Sequence, residues 1–204
     1  MTIYTMPTTP GFVRSMFGLV ANTQIFTSPL SGAMQTVEMP GSRWMASYTL
    51  PPMKRAQAAD WIAFLVKLRG QANRFYAYDP DAKTARGIAT GTPLVNGASQ
   101  TGNTLITDGW TATQTGILKA GDYISFSAGG HTVLHMVVAD ANSDGSGNAT
   151  FTIEPVLRAS PANNAVITVA SATCEMVLST PEVKWDGDHV SRFGIVFDGV
   201  EALT

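Results

Sequence analysis

The stretch Phe75-Tyr76-Ala77-Tyr78-Asp79-Pro80 closes a strand-like run, and beyond it the character of the sequence changes. From residue 84 to residue 176 charged side chains are sparse and glycines separate short apolar runs. Two more strand-like runs follow, at residues 174–183 and 193–200. We therefore predict that residues 84–176 form a β-rich module inserted into an outer domain made of residues 1–83 and 177–204.

The outer domain is predicted to be a β-sheet with one helix across it. In residues 44–50 apolar and polar side chains alternate, as in a half-buried strand, and residues 33–39 read as a second strand. Residues 54–69 are predicted to be a helix, because apolar side chains recur there at intervals of three and four. The apolar stripe consists of Ala58, Trp61, Ile62, Leu65 and Leu68. Trp61 and Phe64 are expected in the core, and Gly70 suits a left-handed helix cap.

The inserted module is expected to be a small antiparallel barrel or sandwich. Its ninety or so residues contain five or six short apolar runs that are joined by tight turns rich in glycine and polar residues. Closing such a sheet on itself hides the edge strands. The fold class predicted for the whole chain is therefore mainly β.

The composition argues for extensive contact with other subunits. Charged residues make up 14% of the 204 residues, against roughly a quarter in an average soluble protein. The formal net charge is −2, which argues against a basic surface that coats nucleic acid. A surface poor in charge and rich in small polar residues favours subunit contacts.

Targeting and redox signals are absent from the sequence. The single cysteine, Cys174, cannot form an internal disulfide, so we expect it to be a buried apolar residue in a protein folded in a reducing compartment. No secretory signal or membrane-spanning segment is visible, and the apolar run at residues 61–68 is too short to span a bilayer. We expect a soluble protein made in the cytoplasm.

One segment has the start of a calcium-binding pattern. Asp140, Asn142 and Asp144 are spaced like the first ligands of a calcium loop, and Gly145 follows them. The position that needs a bidentate glutamate is Phe151, however, and the flanking residues read as strands. We interpret the segment as a hairpin loop whose side chains bond its own backbone.

The three histidines and Cys174 are the residues of the sequence that could bind zinc. His131 and His135 would lie on one face of a strand about 13 Å apart, too far to share an ion. We expect His131, His135 and His189 to be surface or partly buried histidines, and no metal or cofactor is predicted.

No motif of an enzyme is present. Nucleophile elbows, phosphate-binding glycine loops, dinucleotide fingerprints and zinc-protease motifs are all missing. The glutamates Glu154, Glu175, Glu182 and Glu201 are too scattered to nominate an acid and base pair. Asp186 and Asp188 beside Trp185 suggest either a sugar-binding edge or, as we prefer, a tight turn beside a core tryptophan.

Taken in order, nine segments resemble the distal tail protein family of bacteriophages with long, non-contractile tails. The likeness covers nearly the whole chain. The segments are Ser28-Pro29-Leu30-Ser31-Gly32, Met39-Pro40-Gly41-Ser42-Arg43-Trp44, Ala58-x-x-Trp61-x-x-Phe64-Leu65 with Leu68-Arg69-Gly70, Phe75-Tyr76-Ala77-Tyr78-Asp79-Pro80, Gln100-Thr101-Gly102, Leu118-Lys119-Ala120-Gly121-Asp122-Tyr123-Ile124, Asp144-Gly145-Ser146-Gly147-Asn148-Ala149, Pro155-Val156-Leu157-Arg158 and Val196-Phe197-Asp198-Gly199-Val200-Glu201-Ala202-Leu203.

The resemblance implies a structural protein of the virion rather than an enzyme. Family members have an outer domain like the tail-tube subunit, a β-sandwich with one flanking helix, and form a six-fold ring between the tail tube and the tip or fibre proteins. Residues 84–176 would be an added barrel of the oligonucleotide/oligosaccharide-binding (OB) type. DNA would pass through the ring without sequence recognition, and the ring would assemble in the cytoplasm of the host bacterium.

Three other functions remain open at this stage. A carbohydrate-binding module would need exposed aromatic residues on one face of the barrel, where the candidates Trp110, Tyr123, Phe126 and Phe151 are few enough to be mostly core. A tail-associated hydrolase would need acidic groups that converge in a cleft. A tail-tube or adaptor protein elsewhere in the virion is the third possibility.

Overall fold

The computed structural model describes residues 1–189 and 191–203, which form a mainly β protein with one helix among them. The helix α1 spans Arg55–Lys67. The strands are, in chain order, β1 (Ile3–Thr5), β2 (Arg14–Val20), β3 (Thr23–Thr27), β4 (Met34–Glu38), β5 (Arg43–Thr49), β6 (Met53–Lys54), β7 (Arg74–Ala77), β8 (Gly91–Val95), β9 (Gly102–Trp110), β10 (Tyr123–Ala128), β11 (His131–Val137), β12 (Ala149–Leu157), β13 (Cys174–Leu178), β14 (Asp186–Gly187), β15 (Arg192–Gly194) and β16 (Val196–Glu201).

The largest sheet combines strands from both ends of the sequence. Its six strands lie in the order β1-β7-β13-β16-β5-β2, so β16 is hydrogen-bonded on both sides. Only β1 and β7 run parallel, and the other pairs are antiparallel. A sheet of this order leaves β1 and β2 as its edges.

The strand β13 crosses the boundary that the sequence suggested. Cys174 and Met176, assigned to the end of the inserted module, pair with Ala77 and Phe75 in the six-stranded sheet. Both side chains are fully buried there. The apolar face of the strand therefore starts at Cys174, three residues before the predicted boundary at residue 177.

The core of this sheet is organised around the ring of Phe197. That ring lies within 6.5 Å of five other aromatic rings. They belong to Phe12, Tyr48, Trp61, Phe64 and Phe75. Since Trp61 and Phe64 come from α1, the helix packs on the sheet through this cluster, as predicted from its apolar stripe.

Local predictions for this part of the chain are confirmed. In β5 the side chains of Trp44, Ala46 and Tyr48 are buried and alternate with more exposed neighbours. The helix is slightly shorter than predicted, and Gly70 after it has a φ of 65°. A Cβ at Gly70 would also lie 3.0 Å from the carbonyl oxygen of Pro181, so glycine is needed there for two reasons.

A second sheet contains only strands from the predicted insertion. Its five strands lie in the order β10-β11-β12-β9-β8, all antiparallel. Residues 165–168 bond to both edges: Val95 donates to Ala165 on the β8 side, and Ser125 and Thr168 exchange hydrogen bonds on the β10 side. The apolar interior of this sheet holds Phe151 and Ile153, both fully buried. We call residues 84–173 the five-stranded unit.

The chain enters and leaves the five-stranded unit at one place. The N–H of Ser171 donates to the carbonyl oxygen of Lys83 over 2.7 Å. Two smaller sheets complete the fold, β14-β15-β6 and the separate hairpin β3-β4.

The five-stranded unit packs firmly against the six-stranded sheet. On β11, Leu134 belongs to the core of the larger sheet, whereas Val137, three residues later, belongs to the core of the five-stranded unit. The rings of Trp44, Phe17 and Tyr123 form a triangle with centroids 5.5–5.9 Å apart. The indole N–H of Trp44 donates to the carbonyl of Leu134 at 2.8 Å. Burial, with the Asp79 carboxylate nearby, raises the pKa of Tyr123 to about 12.

Two buried ion pairs complete this junction. Arg74 donates to Glu175 at 2.8 Å, and the same carboxylate accepts the N–H of Thr132 from the five-stranded unit. Burial alone would raise the pKa of Glu175, but hydrogen bonds from Thr132, Arg74 and His131 outweigh it and lower that pKa. On the other side, Arg158 of the five-stranded unit pairs with Glu201 of β16.

Replacing Gly199 by alanine should destabilise the six-stranded sheet. A Cβ there would lie 2.8 Å from the ring of Phe75 and 3.1 Å from the sulfur of Met176, inside the core. We expect Gly199→Ala to lower the free energy of unfolding by about 1–3 kcal/mol, as measured by urea denaturation. The control is Gly18→Ala on β2, where the nearest contact is 3.9 Å away. Equal effects of the two changes would contradict the described packing.

Removing residues 84–170 should leave a shell that folds but is less stable. A short glycine linker can join Lys83 to Ser171, because the two are hydrogen-bonded neighbours. The deletion removes Arg158, the ion-pair partner of Glu201, and leaving a buried carboxylate unpaired lowers the free energy of unfolding. We expect cooperative thermal unfolding at a lower temperature, partly restored by adding Glu201→Gln. Loss of any cooperative transition in both variants would show that the two sheets cannot fold separately.

Candidate assembly surface

The hairpin β3-β4 stands apart from the other sheets. All ten residues of its two strands are exposed, and neither strand pairs with a strand of another sheet. The strands pair in register from Thr23 with Glu38 to Thr27 with Met34. At the tip, the N–H of Ser28 donates to the carbonyl of Ala33 and closes the turn. We call residues 23–38 the arm.

Large apolar side chains cover both faces of the arm. Because side chains alternate along a strand, Ile25 and Met34 lie on one face and Phe26 and Val37 on the other. Their exposed fractions run from 43% to 70%, and Leu30 at the tip is 98% exposed. No residue between Thr23 and Val37 carries a charge.

An arm of this kind is poorly supported in a single subunit. An isolated two-stranded hairpin is marginal in water, and exposed apolar patches usually mark contact sites. Both faces and both edges of the ribbon are open. A ribbon of this kind is suited to a partner that covers the apolar side chains and bonds the free strand edges.

A second set of exposed apolar side chains lies on one face of the six-stranded sheet, interspersed with the exposed charged residues Arg14, Arg43 and Asp198. Its members share the face of β2, β5 and β16 that is opposite to Trp44 and Phe197. They are Met16 (54% exposed), Val20 (44%), Met45 (39%) and Val196 (58%). We call them the sheet patch. Since β2 ends at Val20 and the arm begins at Thr23, the two apolar surfaces are close in sequence.

The calcium-like segment is a structural loop, as predicted. The carboxylate of Asp144 accepts hydrogen bonds from the backbone N–H groups of Ser146 and Asn148, each at 2.8 Å. The side-chain amide of Asn148 donates to the same carboxylate at 2.9 Å. This bond, followed by the backbone bonds, lowers the pKa of Asp144. Asn142 and Asp140 bond the backbone N–H groups of Gly116 and Ala120 instead of turning toward Asp144. The oxygen atoms are thus used to hold the loop.

The structure separates the three histidines and the cysteine. His131 contacts Arg74 and Glu175 at the junction. The prediction of a surface or partly buried side chain was wrong for His135, which is buried inside the five-stranded unit and stacked on Phe126. His189 is exposed in a turn. Cys174 is buried, which raises the pKa of its thiol. Within residues 1–189 and 191–203, no three His, Cys, Asp or Glu side chains are grouped so that they can hold a metal ion.

The segment around Trp185 differs in one respect from the prediction. Asp186 and Gly187 form β14, which pairs with β15 as a tight hairpin. Trp185, however, is 46% exposed and does not belong to a core cluster. The interpretation as a core tryptophan was wrong, because this small sheet lies at the rim and leaves the indole in contact with solvent.

The remaining candidates are structural. A sugar-binding surface on the five-stranded unit would need exposed aromatic residues, but the four aromatic residues of this unit are at most 9% exposed. They are Trp110, Tyr123, Phe126 and Phe151. Glu175 and Glu201 are each paired with a buried or partly buried arginine, and Glu182 pairs with Lys184 on the surface. These carboxylates hold the fold together rather than facing one another.

The sequence predicted the second strand of the arm, at residues 33–39, but not the isolation of the hairpin. The signal was present in the adjacent apolar pair Ile25 and Phe26, which an extended strand must place on opposite faces. A strand that buries one face would alternate apolar and polar residues, as β5 does.

Comparison with models of known protein families and with curated proteins finds no match for this chain. Among the described residues, no helix combines the length and the apolar character of a membrane span.

The buried His135 should make stability fall in acid. Burial lowers its pKa to about 4, while its N–H donates to the carbonyl of Pro155 at 2.7 Å. The unfolded chain binds this proton near pH 6.5 and the folded chain near pH 4, so stability is present above pH 6.5 and is lost as the pH falls toward 4. Between pH 7 and 4.5 we expect a loss of about 2–3 kcal/mol, from urea titrations.

The control for this effect is His135→Gln, which keeps a hydrogen-bond donor but has no titrating group. Its stability should fall less over the same pH interval. Parallel pH profiles for the wild type and the glutamine variant would rule out His135 as the cause.

Proposed function

We propose that this chain is a structural protein of a bacteriophage virion that forms a six-fold ring at the distal end of a long, non-contractile tail. In this proposal the six-stranded sheet with α1 is a tail-tube-like β-sandwich domain, and the five-stranded unit is a small OB-type barrel inserted into it. The ring joins the tail tube to the tip or fibre proteins and leaves a channel through which DNA passes without sequence recognition.

The arm is the observation that carries the proposal. A closed ring needs two different surfaces on each subunit, so that one subunit's first surface meets the next subunit's second. The arm supplies one apolar surface, with Ile25 and Phe26 on opposite faces, and the sheet patch around Met16 and Val196 supplies another. We propose that the arm of each subunit packs on the sheet patch and the free edge of its neighbour.

Other features agree with a structural role in the virion. The sequence resemblance described above covers nearly the whole chain in order, including the insertion. Residues 165–168 bridge the edge strands β8 and β10, as a closed barrel requires. The two buried glutamates, Glu175 and Glu201, are engaged in ion pairs with arginines. We propose no catalytic role, cofactor or metal.

The alternative of a carbohydrate-binding module has less support. Sugar platforms need exposed aromatic rings, and Trp110, Phe126 and Phe151 are buried. Trp185 is exposed but lies outside the five-stranded unit, in the small sheet β14-β15-β6. A glycan array with the purified protein distinguishes this function, since a ring protein of the proposed kind requires no glycan.

Apolar-to-charged changes in the arm should prevent ring formation. Mass photometry and negative-stain images of the wild type should show particles of six subunits with a central hole. Ile25→Asp and Phe26→Asp should each leave mainly single subunits, because a buried unpaired carboxylate at the contact is unfavourable by several kcal/mol.

The matched control is Ile88→Asp, which changes an isoleucine of similar exposure, 53% against 60%, on the five-stranded unit. It should assemble like the wild type. The proposal is wrong if the wild type has a single-subunit mass at every concentration reached, or if rings form equally well with aspartate in the arm.

A further inference from the structure

The base of the arm is fixed by a small closed network of hydrogen bonds. The side-chain amide of Asn22 donates to the carbonyl of Pro40 at 2.7 Å, and the N–H of Met39 donates to the carbonyl of Asn22 at 2.7 Å. The N–H of Asn22 lies 3.4 Å from the hydroxyl of Ser42. The two chain segments that enter and leave the arm are thus tied to each other.

Gly41 allows the bend in the chain between the arm and β5. Gly41 has a φ of 116°, a conformation that residues with a side chain rarely adopt. A Cβ at Gly41 would lie 3.3 Å from the Asn22 amide nitrogen. The bend between the arm and β5 therefore depends on close contact between Gly41 and Asn22.

The side chain of Arg158 connects the five-stranded unit to this base. Its Nη1 donates to the carbonyl of Ser42 at 2.7 Å, and its Nη2 pairs with Glu201. The other oxygen of Glu201 accepts the N–H of Trp44 at 3.0 Å. Only 19% of the Arg158 side chain is exposed, so solvent weakens these charge-assisted bonds little.

We propose that Arg158 couples the five-stranded unit to the arm, so that the position of this unit sets the direction in which the arm projects. The path runs from Arg158 to Ser42 and from Ser42 to Asn22, which holds both ends of the arm. By linkage, anything that displaces Arg158 loosens the arm, and docking of the arm stabilises Arg158 in place. The consequence for assembly rests on the function proposed above, but the coupling itself is a property of one subunit.

The second ion pair of the junction provides a matched comparison. Arg74 also lies between the two units, bonding Glu175 and His131. Neither of these partners bonds Asn22, Pro40 or Ser42. Breaking the Arg74 pair therefore weakens the same junction without touching the arm base.

The test measures the direction of the arm in single subunits. Spin labels are placed at Leu30→Cys on the arm tip and Val166→Cys on the five-stranded unit, which are 98% and 68% exposed. Cys174 is buried and stays unlabelled. All variants carry Ile25→Asp to keep the subunits apart, and their distances are measured by pulsed electron resonance.

Without further change, the distance distribution should be narrow. Arg158→Ala should broaden it, and amide hydrogen exchange in residues 23–38 should become at least about tenfold faster, which is the effect of losing one charge-assisted hydrogen bond. Arg74→Ala should leave amide exchange in residues 23–38 unchanged, because it weakens the junction but breaks no hydrogen bond at the arm base. Asn22→Ala should reproduce the effect of Arg158→Ala without altering the five-stranded unit.

The coupling is refuted if a folded Arg158→Ala variant keeps the narrow distribution and the slow exchange, or if Arg74→Ala changes the arm equally. If Arg158→Ala does not fold, two further variants give the same decision: Arg158→Lys, which keeps the charge but has one nitrogen in place of the two that bond Ser42 and Glu201, and Asn22→Ala. Failure of ring formation in the wild type would leave these results standing, because they concern the single subunit.

Discussion

The strand β16 lies inside the six-stranded sheet and holds its two halves together. The strand is paired with β13 on one side and β5 on the other, and its Phe197 ring is surrounded by five aromatic rings from the helix, the sheet and the loop before β2. Each such ring pair contributes roughly 0.5–1.5 kcal/mol beyond simple burial. Because β7, before the five-stranded unit, pairs with β13, after it, the chain leaves and re-enters the sheet at adjacent points, where the N–H of Ser171 bonds the carbonyl of Lys83.

Local patterns in the sequence predicted the elements that bury one face. The alternation around Trp44 and Tyr48, the helical stripe through Trp61 and the self-bonding loop at Asp144 each follow from spacing within about ten residues. The same reasoning assigned residues 84–176 to a separate β-rich segment. It erred slightly at Cys174, because periodicity shows that a strand exists but not which sheet it joins.

The features that position the candidate surface are long-range and left no local signal. The Arg158–Glu201 pair joins residues 43 positions apart, and the bond from Arg158 to Ser42 spans 116. An arginine in a sequence looks the same whether it is solvated or buried against a carboxylate. The prediction for Trp185 was wrong for the opposite reason. A large aromatic residue suggests a core position, but the small sheet β14-β15-β6 leaves the indole exposed.

The open ribbon of residues 23–38 makes the geometry of docking as important as its strength. Its chemistry is undemanding, since strands with one charged residue, Glu38, and two free edges accept many extended partners. Whether successive subunits return to the starting point or wind into an endless helical polymer depends on the angle at which each ribbon leaves its own subunit. In the ring proposed above, a small change in the Pro40-Gly41-Ser42 bend would then yield filaments of unlimited length from subunits that still bind one another.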